Sequence, residues 1–140
     1  WEELTGMLSL YNPFYWEDID LSYRAQKAGY LVLFEPLSQV IHSHDEGSIK
    51  TQFTSQNITK VAYRNQFYFV WLNITDTFYF LSHLCWLPYH LLTALLRWDT
   101  AFLAGLLAAV SNLPRVLVVR NRNKKLFKRK DVEIIGAHLS

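Results

Sequence analysis

Tyr30-Leu31-Val32-Leu33-Phe34-Glu35-Pro36, with Gln39-Val40-Ile41-His42 just beyond it, is the stretch on which the fold class turns. The first run is short, apolar and rich in β-formers, and Pro36 ends it. The second has the same character. Two such runs with a turn between them predict a pair of short strands. Before them, residues 18–28 predict a helix of about three turns, with Ile19 and Tyr23 on one apolar edge and Gly29 as its stop. Helix, strand, turn and strand together predict an α/β or α+β layer, rather than a bundle, for the N-terminal part of the chain.

Outward from there, the helix opens on a concentration of acid. Glu17, Asp18 and Asp20 fall within four residues, just after the aromatic triplet Phe14-Tyr15-Trp16. A helix N-terminus has unpaired N–H groups and a partial positive charge, so carboxylates are favoured there. Capping is therefore one reading of all three acids. The other is chemical: aromatic walls that exclude water raise a carboxylate towards the range of a general base. Arg24 follows Asp20 by four residues, a spacing that allows an ordinary ion pair along the helix. Trp16 fits either a sugar-stacking platform or a core filler.

The net charge of +2 conceals a division. Residues 1–63 hold four Lys/Arg against eight Asp/Glu, and residues 64–140 hold ten against four. Such asymmetry predicts two regions with different work. The acidic part suits a metal or a hydroxyl-rich substrate. The second part is helical in pattern and greasy. Residues 77–96 contain no Asp, Glu, Lys or Arg, although Pro88 interrupts them. Residues 100–114 form another uncharged run, and residues 115–130 then carry eight Lys/Arg and no acid. A solvated face, a nucleic-acid patch and a membrane patch all fit that basic run. The aromatic and leucine-rich residues before it favour an anionic membrane surface. Only Phe127 is an aromatic within the run, so no nucleic acid is expected as a partner. The lone cysteine, Cys85, excludes an internal disulfide and is expected to be a small buried residue.

The residues 13–30, Pro-Phe-Tyr-Trp-Glu-Asp-Ile-Asp-Leu-Ser-Tyr-Arg-Ala-Gln-Lys-Ala-Gly-Tyr, closely resemble the acceptor-side segment of family 2 glycosyltransferases, nearest the rhamnosyltransferase-like branch. Val40-Ile41-His42-Ser43-His44-Asp45-Glu46-Gly47-Ser48 resembles the histidine-and-serine loop of the same family, and Arg64-Asn65 before an apolar segment is similar to it too. The resemblance covers residues 1–75. It implies the C-terminal part of a GT-A fold followed by a helical membrane-associated tail, divided at 1–63 and 64–140. It implies inverting transfer of a sugar from a nucleotide-sugar donor to a glycan or lipid-linked acceptor, as in cell-envelope polysaccharide synthesis, at the cytoplasmic face of a membrane.

Asp18 maps onto the family's catalytic base. Trp16, Glu17, Asp20 and Arg24 become acceptor-binding or orienting residues. His42 and His44 become ligands of a divalent metal, Mg or Mn, on the diphosphate. The family's nucleotide-binding half normally precedes this segment, and the chain opens at Trp1 in mid-domain character, so a C-terminal fragment, weak in donor binding alone, is expected. Two other classes remain: a non-catalytic membrane-anchoring or partner-binding module whose acids are caps, and an integral protein crossing the bilayer at 77–96.

Overall fold

A computed structural model describes residues 2–39 and 48–136. A 3₁₀ turn, Ser9–Tyr11, leads into α1 (Glu17–Lys27). Then come α2 (Ser48–Gln52), α3 (Ser55–Asn73), α4 (Thr77–Leu96), α5 (Thr100–Ser111), α6 (Leu113–Lys124) and α7 (Asp131–Gly136).

The α/β expectation, and the GT-A architecture with it, is overturned. Among the described residues there is no strand and no sheet. The run at 31–35 is irregular and ends in a turn at 36–37. Its side chains lie in solvent, with Leu31 83% and Phe34 90% exposed. The physical reason is pairing. β-propensity marks a chain that fits a pleated surface, but a strand exists only beside a second strand, and none of the described residues supplies a ladder to this run. Residues 40–42 of the second expected strand lie outside the described residues.

The helix boundaries follow local chemistry. Thr54 caps α3, its hydroxyl accepting the Asn57 amide at 3.3 Å. Asp99 caps α5 through the Phe102 amide at 2.9 Å. Pro114 stands in the first turn of α6, where its missing N–H costs nothing. Gly29, at φ +94°, turns the chain away from α1 in the left-handed region. Pro88 lies inside α4.

The central element is α3, which packs against α1, α5 and α6. The core joins Leu8, Leu10 and Tyr11 of the N-terminal segment to Phe67, Tyr68 and Leu72 of α3, with Ala109 of α5 and Val116 of α6. α5 comes unusually close to α3: a Cβ on Gly105 would sit 2.8 Å from the Tyr63 Cβ and 2.9 Å from the Lys60 carbonyl oxygen. α3 itself runs unbroken through positions 63 and 64.

The C-terminal basic segment folds back onto α1. The Lys27 carbonyl accepts the amides of Lys128 and Arg129 at 2.7 and 3.0 Å. Lys27 Nζ donates to Asp131 Oδ1 at 2.8 Å, with both side chains fully buried. Tyr23 and the amides of Thr75 and Asp76 each add a hydrogen bond of 2.7 Å to the same carboxylate. Asp131 thus ties α7, α1 and the α3–α4 junction together.

No single described helix is long and apolar enough to cross a membrane. α5 and α6 reach the length and composition only as a pair, bent by 65°. The outer face of α4 nevertheless presents Phe78, Leu81, Trp86, Tyr89, Leu92 and Leu96 to solvent. Cys85, expected to be buried, is exposed there too, because it lies on the side of α4 turned away from α3 and α5.

Candidate functional site at the start of α1

The loop entering α1 is held in an uncommon shape. Tyr15 and Trp16 both have positive φ, at 70° and 75°. Non-glycine residues in this region cost about 1–3 kcal/mol each and persist only where their surroundings hold them. The hold comes from α3. Asn65, fully buried, donates from Nδ2 to the carbonyls of Tyr11, Phe14 and Tyr15 at 2.8, 2.8 and 3.0 Å. Arg64 donates to the Asn12 carbonyl at 2.5 Å and to Asn65 Oδ1 from Nε and Nη2. One turn further along α3, Phe69 packs on both Trp16 and Tyr23 at 5.3 Å. Phe14 is buried against Phe53 at 5.1 Å. This frame delivers Glu17 and Asp18 at the first turn of α1, where Trp16, the N-cap, makes no side-chain cap.

The three acids have three different environments. Asp20 is fully buried. Its Oδ1 accepts from Tyr11 Oη at 2.9 Å and Asn73 Nδ2 at 2.7 Å, and its Oδ2 accepts from Arg24 Nε at 2.6 Å. Arg24 spends its remaining donors on the carbonyls of Leu4 and Gly6. The Tyr11 phenol is pushed far up by burial and by the adjacent Asp20 carboxylate, so it stays a hydrogen-bond donor. Asp20 and Arg24 therefore fasten the N-terminal segment to α1 and α3, out of reach of any solute.

Glu17 is half-buried, and its Oε2 is shielded from solvent without a hydrogen-bond partner. It faces a hollow of about 270 Å³ formed with Met7, Ser9, Asn12 and Pro13. Asp18 is exposed. Its Oδ1 accepts the Ile19 amide at 2.8 Å, and its other oxygen has no partner among the described residues. Beside it lies a shallow, open depression of about 280 Å³ on the surface of α1, lined by Ile19, Ser22, Tyr23 and Gln26. The adjacent acids thus address separate concavities. Trp16 is half-buried with its ring on Phe69.

His42 and His44 lie outside the described residues. Among the described residues, no group of three or more His, Cys, Asp or Glu side chains could hold a metal ion. Sequence reasoning missed Asn73, Lys27 and Asp131; polar residues bordering apolar runs were the available signal for Asn73. No protein-family model, no curated protein and no solved structure matches this chain.

Proposed function

We propose that the protein takes part in membrane-associated sugar transfer, with Asp18 as the general base. The observation that carries this reading is the state of Asp18: a solvent-facing carboxylate with one oxygen unpartnered, in the first turn of α1, directly after a strained loop braced by Asn65. Strain braced at one point by a buried residue is characteristic of functional positions. The resemblance of residues 13–30 to family 2 glycosyltransferases supplies the chemistry.

An acceptor hydroxyl is a poor nucleophile until a positioned carboxylate begins to take its proton. The acceptor oxygen attacks the anomeric carbon of a nucleotide-bound sugar, its proton passes to Asp18, and the bond to the nucleoside diphosphate breaks with inversion. Trp16, with its ring on Phe69, fixes the start of α1 from which Asp18 projects. A donor-binding unit must be supplied by residues other than those described. A divalent metal on the diphosphate, with His42 and His44 as ligands, belongs to the same proposal, and no step above depends on it.

The enzyme is proposed to lie on the cytoplasmic face of a membrane. The outer face of α4 supplies apolar contact, and Lys124, Lys125, Lys128 and Arg129 supply charge towards anionic headgroups. That same face favours the second reading, an anchoring or partner-binding module without catalysis. The test is transfer of a labelled sugar from a panel of nucleotide sugars to a hydroxyl acceptor by the complete enzyme on anionic vesicles. A product with inverted anomeric configuration supports transfer. Vesicle binding with no product from any donor supports the module.

A further inference from the structure

α4 has two faces of opposite character. Outward, it is apolar and exposed. Inward, His83 and His90 stand seven residues apart on one stripe of the helix, and Arg97, its C-cap, follows seven residues further on. They line a cleft of about 320 Å³ between α3, α4 and the start of α5, within the range of small-ligand sites. From His83 to Arg97 the cleft follows the helix for about 21 Å, at 1.5 Å per residue. It is therefore elongated along α4. Phe67, Val70, Leu87 and Phe102 give it apolar walls.

Its polar groups are unequally used. Asp99 is occupied: Oδ1 caps the Phe102 amide at 2.9 Å, and Oδ2 accepts from Tyr63 Oη at 3.2 Å. His83 Nε2 accepts the Trp71 indole N–H at 3.1 Å, which leaves the proton of the neutral ring on Nδ1. Burial and the neighbouring His90 both push its pKa down, in keeping with that neutral form. Arg97 is different. It is exposed at the end of the cleft, and its side chain has no hydrogen-bond or ion-pair partner among the described residues.

We infer that this cleft binds a single-chain amphiphile with a phosphate head, the head at Arg97 and His90 and the chain along Phe67, Val70 and Leu87. An unpartnered guanidinium at one end offers a two-pronged donor that pairs with a phosphate oxyanion. An elongated cleft with apolar side walls fits an unbranched chain better than a compact solute. The inference stands apart from sugar transfer, since it uses none of the residues at the start of α1.

The test is binding of dodecyl phosphate, below its aggregation concentration, to the full chain. It is followed by the imidazole signals of His83 and His90 in nuclear magnetic resonance. Dodecyl maltoside, with the same chain and a neutral head, and inorganic phosphate, with no chain, are the comparison probes. The expected result is saturable shifts with dodecyl phosphate and affinity at least about tenfold weaker for either comparison probe. Arg97→Gln should weaken dodecyl phosphate by about tenfold or more, the loss of one charge-assisted hydrogen bond. Arg97→Lys should restore most of it. Equal binding of dodecyl maltoside would make the contact merely greasy, and equal binding of inorganic phosphate would make it a free-anion site. Either result, or an Arg97→Gln variant that binds undiminished, overturns the inference.

Discussion

Asp20 Oδ2 accepts the Nε–H of Arg24 at 2.6 Å, and neither side chain reaches solvent. The pair is a strut between α1, the N-terminal segment and α3. Truncating one partner leaves the other charged and buried, which costs about 3–5 kcal/mol. Asp20→Ala should therefore lower the urea midpoint severely. Asp18→Asn, at an exposed position, should stay within about 0.5 kcal/mol of the parent. Equal effects from the two substitutions would contradict their assignment to different environments.

Asn65 holds three loop carbonyls and, through them, the left-handed Tyr15 and Trp16. Asn65→Ala leaves those acceptors without their donor, at about 1–3 kcal/mol. The loop should relax before the whole molecule does. Amide hydrogen exchange should quicken at residues 14–19 while the centre of α3 stays protected. Unchanged exchange there would mean that the loop holds its own shape.

The Lys27–Asp131 contact gives the C-terminal segment a pH dependence. Burial opposes ionisation of Asp131, but Lys27, the amides of Asp76 and Thr75 and the Tyr23 hydroxyl outweigh it, and its pKa lies below the ordinary carboxylate value. A carboxyl whose folded pKa is depressed contributes stability above the unfolded value, about 3.9, and loses it as pH falls through the folded value. Limited proteolysis at residues 124–136 should thus be slow at pH 7 and rise steeply below about pH 4. Asp131→Asn should be cut readily at pH 7. A flat proteolysis profile from pH 7 to pH 2 would refute the role of this contact.

The first long helix could be read from residues. Expected at 18–28 and found at Glu17–Lys27, it follows, with the Gly29 stop and the Asp20–Arg24 spacing, from local rules that need no tertiary knowledge. The failures are all non-local. A five-residue apolar run carries no information on whether a second strand lies beside it, so Tyr30 to Phe34 read as strand and proved irregular. Asp20 reads in sequence as a cap or an acceptor-orienting acid because its partners Tyr11 and Asn73 come from either side of it, one of them 53 positions away. The basic tail read as a free amphipathic segment, since nothing near Asp131 in sequence announces Lys27, 104 positions earlier.

Membrane attachment has its own signature. Each basic residue near an anionic surface contributes about 1 kcal/mol, screened by salt. Replacing Lys124, Lys125, Lys128 and Arg129 with Gln should weaken binding to anionic vesicles by orders of magnitude at low salt and little at high salt. Leu92→Glu, on the exposed apolar face of α4, should weaken binding at every salt concentration. Unaltered vesicle binding by both variants would remove the proposed orientation.

The central claim is that the Asp18 carboxylate takes a proton from an acceptor hydroxyl. It is tested most directly by turnover of Asp18→Asn in the complete enzyme, with donor affinity measured alongside. The amide keeps the size and the contact to the Ile19 amide but has lost the base. The account predicts a fall in kcat of about 10²–10⁴-fold, with donor Kd unchanged. An Asp18→Asn enzyme that transfers sugar at the parental rate would contradict it.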